Sequence, residues 1–492
     1  MNPLYRRCCG IDVHKKSITV CVLAPDNKPK GEVRKEKFRT FTRDLIRMRT
    51  FLVRCGVTEV VMESTGQYWR PVWNVLEGHI PRLLLVNPLH VKALAGRKTD
   101  SLDSEWLATR LQREDLKGSF IPPRPIRELR ELTRTRVHWL QDLNRMKNRI
   151  SQLCEAGNIK ISSVATDLFG ASGRRMLNAL VEGKRDAGWM ADYARSALRS
   201  KRDQLELALE GSFSDHQRWL LGQFLQPVNE LESKVKSLTE EIERRVADYA
   251  PQIERLITIP GIDRVAAWTI LAEIGMDMTV FPDAKHLASW AALCPGNRES
   301  GGKRMSGKTR KGNVYLRRIL CQSAWAATRK KGSHLAALYH RIRSRRGHQK
   351  AILAVAHQIL TIVYHLLRDG EVYKELGSDY YDLQHKPEIT QKLIDRLQRM
   401  GYYVTLRPMP QPEGPDPGVP NGGASGGSRE QTKAAQSRPA PTTEAPLPTK
   451  RKIGRPCKCQ IRGIACKHQR PVQNSRSIPQ NTRGPNIQTT ER

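Results

Sequence analysis

Negative charge is scarce in this 492-residue chain: 49 Asp and Glu face 84 Lys and Arg, for a formal net charge of +35 and a pI near 10.1. That imbalance disfavours basic and neutral partners and calls for a polyanion, nucleic acid first. Long apolar runs are missing too. No stretch reads as long enough to span a bilayer, and no basic-then-apolar leader opens the chain, so a cytosolic protein without a membrane partner is expected. Ten cysteines are too few for a disulfide framework. Cys8, Cys9, Cys21, Cys55, Cys154, Cys294 and Cys321 fall in apolar segments and are expected as reduced, buried thiols. Aromatic residues all but vanish past residue 408, where Pro, Gly, Ser, Thr and Gln take over and a disordered tail is expected. That tail holds 14 Lys and Arg against 5 acids, a net +9 of the +35, so the folded part is itself basic.

What is present divides into segments. Residues 1–122 alternate strand and helix signals: CCGIDV, SITVCVLA, EVRKEKFRTF, VTEVVME and PRLLLVNP read as strands. FTRDLIRMRTFLVRCG and DSLDSEWLATRLQ read as helices, giving an α/β unit with a mixed sheet. Residues 123–250 read as long helices. Within them Val228, Leu231, Val235, Leu238 and Ile242 make a 3-4 seam that fits a coiled coil, a possible dimer interface, or an antiparallel pair inside one chain. Residues 251–375 form a second, mainly α unit, and 376–407 a short helical extension. In LITIPGIDRVAAWTILAEIG, the turn at Pro260 and Gly261 resembles a helix-hairpin-helix, whose turn amides hold a DNA phosphate; an ordinary tight turn between core helices is the alternative.

Four acids suggest chemistry. Asp12 ends the first expected strand and Glu63 the fourth, while Asp100 and Asp103 stand i, i+3 at a helix start. Converging carboxylates raise one another's pKa unless a cation neutralises them, and Mg²⁺ (or Mn²⁺) is the hard ion such oxygens suit. Taken singly, Asp103 reads as a first-turn acid and Asp100 as an N-cap.

The stretch NRESGGKRMSGK, residues 297–308, sets Ser300 and Ser306 among Arg298, Lys303, Arg304 and Lys308. Gly301 and Gly302 would let backbone approach DNA closely, and the cations could steady a phosphate. A serine hydroxyl needs a base or metal, and no neighbouring His supplies one, so on its own this is a phosphate-binding loop.

Taken together, GIDVHK, VVMESTG, KTDSLDSEWLA and, some 200 residues on, LASWAALCPGNRESGGKRMSGKTRKGNVYLRRIL resemble the DEDD transposases of bacterial insertion sequences, related to the Piv and MooV invertases. The resemblance runs from about residue 8 to 375. It implies an RNase H-like (RuvC-like) N-terminal domain, a coiled-coil segment and a C-terminal transposase domain. Asp12, Glu63, Asp100 and Asp103 match the metal-binding tetrad, and Ser300 matches the serine that links covalently to DNA. It also implies DNA partners (element ends and target), a guide RNA encoded by the element, and a dimer or tetramer, since strand exchange holds two duplexes together. A RuvC-type nuclease using water, or a non-catalytic nucleic-acid-binding protein, are the competing readings.

Two further features lie outside that resemblance. HRIRSRRGHQK, with Tyr339, Tyr364 and Tyr373 nearby, brings a tyrosine recombinase to mind, but reads better as a basic contact face beside core helices. The tail segment KRKIGRPCKCQIRGIACKH pairs an AT-hook-like GRP around Arg455 with Cys457, Cys459, Cys466 and His468, four soft ligands in twelve residues that could hold zinc. A disordered basic tail is the alternative.

Overall fold

The computed structural model describes residues 7–24, 32–64, 66–88, 103–296 and 298–407. Five strands, β1 (Cys8–Val13), β2 (Ser17–Ala24), β3 (Glu32–Arg39), β4 (Glu59–Glu63) and β5 (Arg82–Val86), form one sheet in the order β3-β2-β1-β4-β5. The first three pair antiparallel as a meander; β4 and β5 add parallel to β1. The expected mixed sheet is thus present, consistent with an RNase H-like domain.

Strand alternation sorts the two faces. Cys9, Ile11 and Val13 pack with Val60 and Met62 under α1 (Thr42–Arg54) and α2 (Trp69–Leu76). Cys8 and Val61 face the other way, against Leu107 and Leu111 of α3 (Asp103–Gln112). Burying each of these leucines contributes about 1.5–3 kcal/mol. Buried and half-buried thiols account for all seven cysteines outside the tail, and burial pushes the Cys8 thiol up to about 12.

The helical part contains α4 (Arg124–Ala156), α5 (Ile161–Val164), α6 (Ala171–Val181), α7 (Ala187–Ala191), α8 (Arg202–Leu209) and α9 (Asp215–Arg245). A capping box at Ser214 and Gln217 starts α9. The rods α4 and α9 lie antiparallel: Arg245 reaches Glu128 (3.4 Å), Arg136 donates to Thr239 (2.8 Å), and Lys147 meets Glu232 (2.9 Å). Val228, Leu238 and Ile242 are buried, so the seam is occupied within the chain. Of the two arrangements open in the sequence, the intramolecular antiparallel pair is the one formed.

The C-terminal unit follows as α10 (Ala250–Ile257), α11 (Arg264–Ile274), α12 (Ala284–Trp290), a hairpin of β6 (Arg298–Ser300) and β7 (Lys303–Ser306), then α13 (Val314–Ala327), α14 (His334–Arg346) and α15 (His348–Asp369). Two short helices, α16 (Tyr380–Gln384) and α17 (Lys386–Arg399), trail behind it. Helix α15 corrects the expectation that no apolar run reaches membrane-spanning length: it is long and apolar enough by composition. Its role here is to fill a core, with Val355, Ile359, Leu360 and Val363 fully buried, and the helix packs against α12, α13 and α14. The turn between α10 and α11 also has a packing reason for its glycine. Gly261 has φ +85°, and a Cβ there would sit 2.2 Å from the carbonyl oxygen of Ser323 on α13. Tyr339 and Tyr364 are buried, and the Tyr364 hydroxyl donates to the Phe281 carbonyl at 3.0 Å.

Candidate active site

Parallel pairing of β1 with β4 brings Ile11 opposite Met62, so the next positions, Asp12 and Glu63, are neighbours at the same end of adjacent strands. Period-two alternation puts Asp12 on the face of Gly10 and Glu63 on the face of Val61, the face covered by α3. Gly10 governs how α3 lies there. A Cβ at that position would stand 2.0 Å from the Ser104 carbonyl oxygen and 2.6 Å from the Ala108 amide nitrogen, so only glycine lets the helix touch the strand. The Cys8 thiol meets the Ala108 carbonyl at 3.6 Å, so α3 runs opposite to β1. Its first residue, Asp103, therefore comes to the edge where Asp12 and Glu63 end their strands.

Asp12 keeps 16% of its side-chain surface, and its Oδ2 lies 2.9 Å from Nε2 of the exposed His14 in the β1–β2 turn. Glu63 and Asp103 are half-buried. Among the described residues no group of three His, Cys, Asp or Glu side chains is close enough to form a ready-made metal cluster. Asp100, the remaining acid of the expected tetrad, lies outside the described residues.

The stretch expected as a loop is a β-hairpin. Ser300 pairs with Lys303 across Gly301 and Gly302, whose φ values of +56° and +72° are both left-handed, as a tight two-residue hairpin turn requires. The glycines thus have a turn role of their own. The signal was available in the sequence, since Gly-Gly between short strands is a hairpin cue. Ser300 ends β6 at the tip. Ser306 pairs with Arg298 at the far end of the ladder, and a bulge between Arg298 and Glu299 breaks the register there. Gly301 and Gly302 are exposed, and no atom would lie within 4 Å of a Cβ on either. Lys308 follows, exposed.

One group in this region escaped the sequence reading. Glu273, fully buried on α11, accepts two hydrogen bonds from Arg134 of α4 (2.7 and 2.8 Å) and one from the Asn313 amide (2.6 Å). Arg130 stands 3.4 Å from it, and burial lowers that guanidinium's pKa to about 10. The Asn313 side-chain oxygen meanwhile accepts from the amides of Tyr315 and Leu316, capping α13. One carboxylate so ties α4, α11 and the start of α13, the helix that follows the serine hairpin. A lone Glu inside the apolar run AAWTILAEIG was the available signal, because such a charge is buried only when paired. Arg455, Cys457, Cys459, Cys466 and His468 lie outside the described residues.

Comparison with known proteins yields two family matches. A model described as a transposase matches residues 9–156, and one described as transposase, IS116/IS110/IS902 family, matches residues 253–340. The chain is 35% identical over 122 residues to the insertion element IS110 uncharacterized 43.6 kDa protein of Streptomyces coelicolor, covering 24% of this chain and 29% of that protein. It is 32% identical over 143 residues to the transposase for insertion sequence element IS1111A of Coxiella burnetii, covering 27% and 38%. These two alignments span well under half of those relatives' own lengths. A longer one, 23% identical over 374 residues, covers 74% of this chain and 96% of the pilin gene-inverting protein of Moraxella bovis. The carboxylate-edge segment and the serine-hairpin segment are thus matched in order by transposase family models, and in both the chain is similar to transposases of the IS110 family.

Proposed function

We propose that this protein is a DNA transposase, a site-specific recombinase that cuts and rejoins strands in two transesterifications with Ser300 as nucleophile. The observation that carries the reading is the meeting of Asp12, Glu63 and the start of α3 at one sheet edge, in a chain whose other matched segment presents a serine at a hairpin tip. In the first step the Ser300 oxygen bonds to phosphorus, a sugar oxygen leaves with the cut strand, and the serine proton passes to the carboxylate edge. In the second, a hydroxyl of the incoming strand displaces the serine and restores it.

The donor set fits a hard divalent cation, being carboxylate oxygens on rigid strand ends with a fourth acid, Asp100, three residues before Asp103. Asp12, Glu63, Asp100 and Asp103 would hold Mg²⁺ or Mn²⁺, which supplies charge neutralisation at the phosphate and lowers the pKa of a bound hydroxyl. Arg298, Lys303, Arg304 and Lys308 steady the phosphate, the Pro260–Gly261 turn lies against the DNA backbone, and Arg455 enters a minor groove. The partners are element ends, target DNA and a guide RNA. Two cleaved duplexes must be held at once, so the working form is a dimer or tetramer in the bacterial cytoplasm. The cysteines and histidine of the tail are proposed as a separate zinc site.

The deciding experiment incubates wild type, Ser300→Ala and Asp12→Ala with element-end DNA, cognate RNA and Mg²⁺. A covalent DNA–protein adduct lost in Ser300→Ala is expected. Mg²⁺-dependent cleavage that never forms an adduct and survives Ser300→Ala would transfer the reading to a RuvC-type nuclease. Binding without any cleavage would leave a non-catalytic nucleic-acid-binding protein.

A further inference from the structure

Residues 157–252 lie between the two family-matched segments, and their surface carries a feature the transposition chemistry does not use. A cavity of about 330 Å³ opens among Lys184, Arg185, Ser212 and Arg218. Phe213 and Met190, both part of the helical core, form its floor. Lys184 and Arg185 are exposed, and neither is ion-paired with a carboxylate among the described residues. Arg218 is largely buried; one arm of its guanidinium holds Asp215, while its Nε is buried with no partner. Three cations around a small polar cavity, with only Arg218 internally neutralised, are a site for a phosphate.

The cavity has aromatic neighbours. Arg218 also lines an adjoining groove floored by Gly183, Gly222 and Trp219, whose indole is 63% exposed. Beside Lys184 of the cavity, Trp189 is 41% exposed, with the Lys184 ammonium 5.4 Å from its ring and Tyr193 edge-on at 4.9 Å. An exposed indole offers a flat face on which an unpaired base can stack. A duplex keeps its base faces stacked inside and cannot cover an indole, whereas an unpaired base can stack on it while its phosphate sits among cations.

We propose that this face of the helical unit binds single-stranded nucleic acid, with a backbone phosphate in the Lys184–Arg185–Arg218 cavity and an unpaired base on Trp219, and Trp189 ready for a second. The chemistry is shared by RNA and DNA strands. An acidic protein segment would satisfy the cations but gain nothing from the indoles. The site does not depend on Ser300, so a Ser300→Ala protein retains it, and failure of the serine chemistry would leave it untouched.

The test measures affinities of the full-length chain for labelled oligouridylate, oligothymidylate and a duplex of equal length, by anisotropy at several salt concentrations. Trp219→Ala and Arg185→Gln are compared with wild type and with Arg43→Gln, an exposed cation on α1. Single-strand affinity is expected to fall roughly tenfold in Trp219→Ala, with duplex affinity changed less than twofold. Arg185→Gln should also reduce the salt slope on single strands by about 0.7, the loss of one phosphate contact. A loss confined to one strand type assigns the site to RNA or to DNA; a loss on both assigns it to either. Equal losses on duplex, losses matched by Arg43→Gln, or competition by polyglutamate with no effect of Trp219→Ala would overturn the proposal. Exposure of the altered side chains predicts unchanged thermal melting; if Trp219→Ala alters it, the Arg185→Gln and Lys184→Gln variants decide the outcome.

Discussion

The carboxylate edge and the serine hairpin are built by opposite means. At the edge, two parallel strands hold Asp12 and Glu63 in register, and backbone touches backbone where α3 crosses Gly10. At the hairpin, Ser300 ends a three-residue strand, and a Cβ on either of the two glycines beyond it would project into open space. Groups that hold a cation must stay within a fraction of an ångström of their places, and packing against a sheet does this. For the nucleophilic role proposed for Ser300, which must meet a phosphate on another molecule, a turn suits better than a packed strand. The difference predicts that the two regions will respond differently to the same kinds of substitution.

The largest effects should come from the chemistry itself. Asp12→Asn removes a charged donor without changing shape and is expected to lower strand cleavage by at least about a thousandfold, while Ser300→Ala abolishes the covalent adduct. Both should melt like wild type, and a melting shift in either would break the comparison by making that residue structural. Next comes Gly10→Ala, which touches no reacting group. Its methyl would meet the Ser104 carbonyl, push α3 outward and carry Asp103 away, so cleavage should fall by about a hundredfold, the cost of displacing a positioned group by about 1 Å, measured in the same assay. An active Gly10→Ala protein would mean the edge tolerates more play than its packing implies.

Glu273→Ala tests the link between the regions. It leaves Arg130 and Arg134 facing a buried hole, and a loss of about 3–5 kcal/mol is expected, read as earlier unfolding of the C-terminal unit in denaturant. Gly301→Ala should have the smallest effect. It places a side chain at φ +56° in open space, costing about 1 kcal/mol, and is expected to change adduct yield far less than Gly10→Ala changes cleavage. A hairpin as sensitive as the sheet edge would show that its tip is held by contacts with DNA or another subunit.

Much of the N-terminal half was legible in the sequence, because strand alternation and helix spacing there agree with what the fold buries. Leu45, Met48, Phe51 and Leu52 stand at helical spacing in FTRDLIRMRTFLVRCG, and the structure buries all of them but Phe51, which is half-buried. The 228–242 seam was legible as a stripe but not as to its partner, since period alone does not distinguish a second copy from α4 of the same chain. The hairpin was missed because a run of cations and glycines was read for its charge before its turn geometry. Glu273 was missed because its partners lie 139 residues upstream and 40 downstream.

The sequence by itself determined the basic character, the order of segments and the residue types available for chemistry, because these follow from composition and local periodicity. Tertiary structure alone decided which of those residues share a place. Asp12 and Glu63 become neighbours only through the register of two parallel strands, and α3 reaches them only because Gly10 has no side chain. Register and close backbone approach depend on contacts between distant segments, which no local pattern encodes.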